Sequence, residues 1–144
     1  VGDADVIAYV KHTARAMIFS ASITPASAAA ALAALDVMEN EPEHRLRLLE
    51  NVQFMRRGLA EIGFDTNGCE SAIIPIKIGD DVTTFVAWRT LFQEGVFTNA
   101  VVPPAVPQGQ SLLRTSYMAT HTRAQLSRVL DVFSRVGREL QILQ

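Results

Sequence analysis

Ala72-Ile73-Ile74-Pro75-Ile76-Lys77-Ile78, followed by Gly79-Asp80-Asp81, is the stretch that decides the fold. β-Branched and apolar residues make it a strand, and Pro75, which has no N–H to give to a ladder, puts that strand at a sheet edge or at a bulge. The Gly-Asp-Asp triplet turns the chain. Val82 to Glu94 then reads as a helix with Phe85, Val86, Leu91 and Phe92 near its buried side, closed by Gly95. Val96 to Val102 reads as a second strand, Pro103 to Gly109 as a loop and Ser111 to Met118 as a third strand. Thr122 and Gln125 stand at the spacing of a capping box, which announces a last helix to about Leu140 with Leu126, Val129, Leu130, Phe133 and Val136 as its stripe.

Upstream the period is helical. Val6, Ile7, Val10 and Ala14 recur at steps of three and four, so a helix is expected over Asp5 to Ala16, capped by Asp3 or Asp5. Ile18 to Ile23 reads as an extended connector, and Thr24-Pro25 opens a second helix, because proline needs no hydrogen-bond partner at the first helical position. Ala26 to Met38 is so rich in alanine that it reads as a buried packing helix, with Leu32, Leu35 and Met38 on one side; a solvent-exposed alanine helix is the alternative. Asn40-Glu41-Pro42-Glu43 interrupts it, with Asn40 as a cap and Pro42 in the first turn of the next helix. That helix runs to Glu61 or Ile62, with Leu46, Leu49, Val52, Phe54, Met55, Leu59 and Ile62 inward, and Gly63 stops it. The element order gives an α+β fold: a small antiparallel or mixed three-stranded sheet covered on one face by helices.

The 144 residues are 49% apolar and 19% charged, the balance of one soluble domain with enough apolar mass for a core. A net charge of -2 and the lack of a basic stripe argue against nucleic acid as a partner. Cys69 is the only cysteine, so no internal disulfide is possible and a reducing, cytoplasmic setting is expected. Apolar stretches break well short of the ~18 to 20 residues a membrane helix needs, so no integral membrane segment is expected. Val1-Gly2-Asp3 opens the chain without a methionine, inside what reads as an element, as in a processed or truncated product.

Catalytic groupings are sparse. No Gly-rich phosphate loop follows a strand, no nucleophile elbow is present, and His12, His44 and His121 are scattered, reading as surface or capping residues. Asp80-Asp81 offers either a divalent-ion site or a turn with a helix cap. Lys11 and Lys77, the only lysines, read as solvated rather than as desolvated Schiff-base amines. Arg114, on the third strand between Leu113 and Thr115, is either a salt-bridged structural arginine or a clamp that holds a carboxylate through two parallel hydrogen bonds.

Four segments in order, Phe19-Ser20-Ala21-Ser22-Ile23-Thr24-Pro25, Ser71-Ala72-Ile73-Ile74-Pro75, Val102-Pro103-Pro104-Ala105-Val106-Pro107, and Leu113-Arg114-Thr115-Ser116 ahead of Ala119-Thr120-His121-Thr122, resemble the α-oxoamine synthase family. That family includes serine palmitoyltransferase, 2-amino-3-ketobutyrate CoA ligase, 8-amino-7-oxononanoate synthase and 5-aminolevulinate synthase. The runs from Phe19 to Ser27 and from Met118 to Thr122 look most like bacterial serine palmitoyltransferase-type sequences.

The resemblance implies a fold-type I homodimer in which pyridoxal 5'-phosphate activates an amino acid for condensation with an acyl-CoA. It implies that residues 1–23 end a large domain and its connector, and that residues 24–144 form the carboxy-terminal small domain with its leading helix. The family's Schiff-base lysine lies in a Gly-rich segment ahead of the position matching Val1, so this polypeptide alone is expected to be inactive and to self-associate through its uncovered surface. By the same resemblance Arg114 would bind the amino-acid carboxylate, Ser20 would reach the cofactor phosphate and Phe19 would wall the same pocket. Val102 to Val106 would border the substrate entrance, Thr24 is equally a cap, and His121 has a structural place at the helix start. A non-catalytic interaction or regulatory module derived from this domain, and a fold-type I aminotransferase, are the alternatives.

Overall fold

A computed structural model describes residues 2–69 and 71–143. The chain forms two compact units, Val1–Glu41 and Pro42–Gln144. The expected connector of residues 18–23 lies within the first unit, and the opening Val1 lies outside the described residues.

The first unit holds three helices: α1 (Ala4–Thr13), α2 (Arg15–Ile18) and α3 (Pro25–Asn40). Asp3 caps α1 by accepting the Asp5 N–H at 2.9 Å. The single helix expected to Ala16 is broken, because Ala14 is extended at φ -78 and ψ 102. Thr13 Oγ1 donates to the Tyr9 carbonyl at 2.7 Å, a local bond that competes with continuation of the backbone ladder. Thr24 caps α3 with Pro25 in its first turn, as its sequence requires. Burial differs from expectation: none of the three helices buries a residue, and Leu32 is 64% exposed. Asn40 ends α3 instead of capping the next helix, its Nδ2 donating to the Asp36 carbonyl at 2.8 Å.

The second unit carries the core. Its elements are α4 (Pro42–Ile62), β1 (Ile73–Gly79), α5 (Asp81–Gln93), β2 (Asn99–Val101), β3 (Ser111–Ser116) and α6 (Arg123–Glu139). The sheet is antiparallel in the order β1-β3-β2, so β1 is the edge strand that Pro75 demands. The Lys77 N–H donates away from β3, to the Asp65 carbonyl at 3.0 Å. Pro75, two residues earlier, has its nitrogen on that same outer edge, where a missing N–H costs no ladder bond.

Helix α5 packs on all three strands, α6 packs against α5, and α4 against α6. Met55, Leu59, Ile74, Ile76, Leu91, Leu113, Leu126 and Phe133 are the fully buried large apolar residues. Gly63 and Gly95, at φ +112 and +79, end α4 and α5 in a backbone region that other residues rarely adopt. The capping box of Thr122 and Gln125 is complete.

Four details depart from the sequence reading, the first being that β3 ends at Ser116 and not at Met118. Leu46 and Leu49 of α4 are exposed. Helix α5 buries Thr84, Ala87 and Leu91, leaving Phe85, Val86 and Phe92 exposed. Thr84 can occupy the interior because its hydroxyl donates to the Asp80 carbonyl at 2.6 Å. Strand β2 is shorter than Val96 to Val102, since the Val96 N–H is held by the Leu91 carbonyl at 2.8 Å and the Thr98 carbonyl accepts from Trp88 Nε1 at 3.0 Å. Those bonds draw the start of the segment toward α5 and out of the ladder.

Candidate functional site

Alternation along β3 divides its side chains between two faces. Ser111, Leu113 and Thr115 are buried with the helices, while Arg114 and Ser116 are exposed on the other side. Register puts Pro75 and Asn99 on either side of Arg114, one on each neighbouring strand. Lys77, Leu112 and Val101 form the adjoining row, and Ile73 pairs with Ser116 beyond it. The strand residues of this open face thus include two cations and no acid, which favours an anionic ligand over a cationic one.

Arg114 is exposed at the centre of that face. Its Nη2 donates to Asn99 Oδ1 at 3.3 Å, and among the described residues it makes no ion pair. The structural-salt-bridge alternative therefore finds no partner carboxylate there. With one donor committed to a neutral amide oxygen, the remaining N–H groups of the fork meet no acceptor among the described residues and can take a carboxylate.

The strand that carries Arg114 is fixed at both ends. Ser111 Oγ hydrogen-bonds the Asp81 carboxylate, tying the start of β3 to the first turn of α5. Thr115 Oγ1 donates to the Ile74 carbonyl at 2.9 Å. Buried Asn51 donates from Nδ2 to the carbonyls of Met118 and His121 at 3.1 and 3.0 Å, and His121 Nδ1 accepts the Met118 N–H at 3.2 Å. These bonds hold the turn after β3 against α4 and give His121 its place at the helix start.

Behind the end of the sheet, the departure of residues 95–98 from residues 115–118 leaves a cavity of about 560 Å³ floored by Leu126, Val129 and Phe133 of α6. Burial pushes the Tyr117 phenol up to about 12. Among the described residues neither the Tyr117 hydroxyl nor Thr98 Oγ1 finds a hydrogen-bond partner.

Asp80 and Asp81 serve the fold. Asp80 caps α5, accepting from the Thr83 N–H and Oγ1 at 2.7 and 2.8 Å, and these bonds hold its carboxyl below the usual range. Lys77 and Lys11 are exposed, as expected from their sequence setting.

In the first unit Phe19 is 82% exposed, and Ser20, also exposed, donates from Oγ to the Met17 carbonyl at 2.8 Å. Serine has one O–H to give, so a phosphate oxygen would have to take that proton in exchange for the Met17 carbonyl, while the open Phe19 ring beside it can wall a ring site. Asn99 escapes a reading of the sequence alone. Its signal is two-residue alternation with Val101, which becomes informative only once the register places it opposite Arg114.

Comparison with known proteins places these features in a family. Residues 1–133 match the family model described as aminotransferase class I and II. The chain is 46% identical over 141 residues to a serine palmitoyltransferase of Bacteriovorax stolpii, covering 98% of this chain and 34% of the relative. It is 39% identical over 142 residues to an 8-amino-7-oxononanoate synthase of Symbiobacterium thermophilum, covering 99% of this chain and 36% of that one. A solved structure of SPT with PLP internal aldimine superposes with a TM-score of 0.87 at 33% identity, over 99% of this chain and 36% of its own. The chain spans about a third of the length of these two curated relatives. These relatives are the ones to which the four ordered segments point, and the superposed third of the SPT structure shares the helices and three-stranded antiparallel sheet of this α+β chain. The chain belongs to the aminotransferase class I and II family.

Proposed function

We propose that this chain is the carboxy-terminal part of a pyridoxal-phosphate-dependent acyltransferase that condenses an amino acid with an acyl-CoA, serine palmitoyltransferase-like in its choice of partners. One observation carries the reading: Arg114 stands exposed at the centre of a sheet face with no acidic strand residue and, among the described residues, is bound to a neutral amide with no ion pair. A guanidinium so placed binds the α-carboxylate of an amino acid and fixes which bonds of the α-carbon face the reacting centre. Similarity to serine palmitoyltransferases and an 8-amino-7-oxononanoate synthase supports the reaction class.

Pyridoxal 5'-phosphate, when bound in the parent protein, supplies an electron sink for negative charge developing at the amino-acid α-carbon. In this reading Ser20 gives a hydroxyl contact to its phosphate and Phe19 walls the ring site. Neither Lys11 nor Lys77 lies in an enclosed site, so the Schiff-base lysine belongs to another part of the protein and this chain alone is inactive. The parent acts as a homodimer in the cytoplasm, a placement that the lone Cys69 supports. No described helix is long and apolar enough to cross a membrane.

The test is release of free coenzyme A by the full-length protein given palmitoyl-CoA with serine, glycine or alanine. Amino-acid-dependent release is expected, greatest with serine, and none from this chain alone. The description of the matching family favours a second reading, amino-group transfer. Formation of a 2-oxo acid from the amino acid without coenzyme A release would establish that reading and refute the first.

A further inference from the structure

We propose that Asn99 is a positioning residue that aims the Arg114 guanidinium, acting on a substrate carboxylate only through that arginine. The inference rests on the reading of Arg114 as a carboxylate clamp and goes further by naming what orients it.

An exposed arginine has several rotatable bonds, and a carboxylate that binds it must order the whole side chain, at a cost in entropy. An arginine already held at one donor has less to lose. Asn99 is the direct cross-strand partner of Arg114, and its Oδ1 accepts from Nη2 at 3.3 Å. The partner on the opposite side is Pro75, whose side chain has no polar atom to compete for the fork. The guanidinium is thus drawn toward β2 and nowhere else on its own row.

Asn99 is itself well anchored. It opens β2, and the preceding residue Thr98 is held by the Trp88 indole at 3.0 Å on one side of the chain. From Asn99 onward the backbone runs in the ladder with β3. The residue type matters as much as the place. A neutral amide oxygen orients the fork and leaves its full charge for the ligand, whereas a carboxylate at the same position would form an internal ion pair and compete with the substrate.

The experiment is a double-mutant cycle in the full-length protein, reading the equilibrium affinity for L-serine and the thermal midpoint. Asn99→Ala is expected to weaken binding roughly tenfold, the scale of one hydrogen bond to a charged group, with the midpoint little changed. In the Arg114→Ala background the same substitution is expected to do nothing further. Asn99→Asp, nearly isosteric, guards against a failure of the alanine variant to fold, and is expected to weaken binding more than Asn99→Ala does. Equal losses from Asn99→Ala with and without Arg114 would overturn the positioning role, assigning Asn99 a direct contact, while leaving the clamp intact. An unchanged affinity in Asn99→Ala would likewise overturn it. An Arg114→Ala variant that binds serine as well as the parent would overturn the clamp reading itself.

Discussion

Both units of the chain are built on amphipathic helices, yet only the second has an interior. In residues 42–143 the stripes of α4, α5 and α6 close on one face of the sheet, and Phe133 is 1% exposed. In residues 2–41 every side chain is exposed except those of Ala14 and Ala28, which are half-buried. Val6, Tyr9, Leu32 and Met38 lie open in helices whose periodicity is that of a buried face. The contrast separates two meanings of a hydrophobic stripe. One is satisfied within its own unit and supplies that unit's stability, while the other finds no cover within its own unit.

The contrast breaks first at the core. Phe133→Ala should lower the unfolding free energy of the chain by about 3 to 5 kcal/mol, as deletion of a fully buried aromatic does, measured by denaturant titration. Loss of less than about 1 kcal/mol would mean that the second unit does not own its core. Thr122→Ala removes the capping box that opens α6 and should cost about 1 kcal/mol in the same titration. An undiminished midpoint would show that tertiary packing alone holds that helix.

Smaller still is the exposed pair of Glu94 with Arg135, at 2.6 Å between Nη2 and Oε2. The hydrogen bond and charge of Arg135 hold the Glu94 carboxyl below its ordinary 4.5. A carboxyl with a depressed folded value contributes stability above its unfolded value and loses that contribution as pH falls through the folded value. Glu94→Gln should therefore lower stability slightly at neutral pH, where the contribution is present, and leave it unchanged well below pH 4.5, so that the acid side of the profile flattens. A loss as large in acid as at neutrality would contradict that linkage.

The least effect on unfolding is expected in the first unit. Leu32→Ala should move the unfolding free energy of the chain by no more than about 0.5 kcal/mol, because Leu32 is exposed in its helix. Leu32→Glu should nonetheless reduce self-association of the chain in sedimentation at rising concentration. A chain that stays monomeric at high concentration without the substitution would show that the open stripes need no cover.

The second unit was legible because its signals are local and mutually consistent. Pro75 marks an edge strand, Gly63 and Gly95 stop helices, and Thr122 with Gln125 start one, each through backbone chemistry that does not depend on distant residues. The errors arose where a distant partner decides. Trp88 and Leu91 hold residues 96–98 away from the ladder, shortening β2, and the buried face of α5 is turned toward Thr84 and Ala87 because a self-satisfied hydroxyl passes as a core residue. Helix α3 looked buried because alanine packs closely, but packing requires something to pack on. At the candidate site Arg114 stood out by residue type, whereas Asn99 depends on register across fifteen residues of chain and on the loop between them.

Recognition of a carboxylate by Arg114 is the claim on which the functional account depends, and comparison of two ligands isolates it. L-Serine and ethanolamine differ by that carboxylate alone, and their equilibrium affinities for the full-length protein can be measured with and without Arg114→Ala. Serine is expected to bind roughly a hundredfold more tightly than ethanolamine to the unaltered protein, the scale of a bidentate charge-assisted pair, and the two should bind about equally to the variant. A preference for serine that survives Arg114→Ala undiminished would contradict the account.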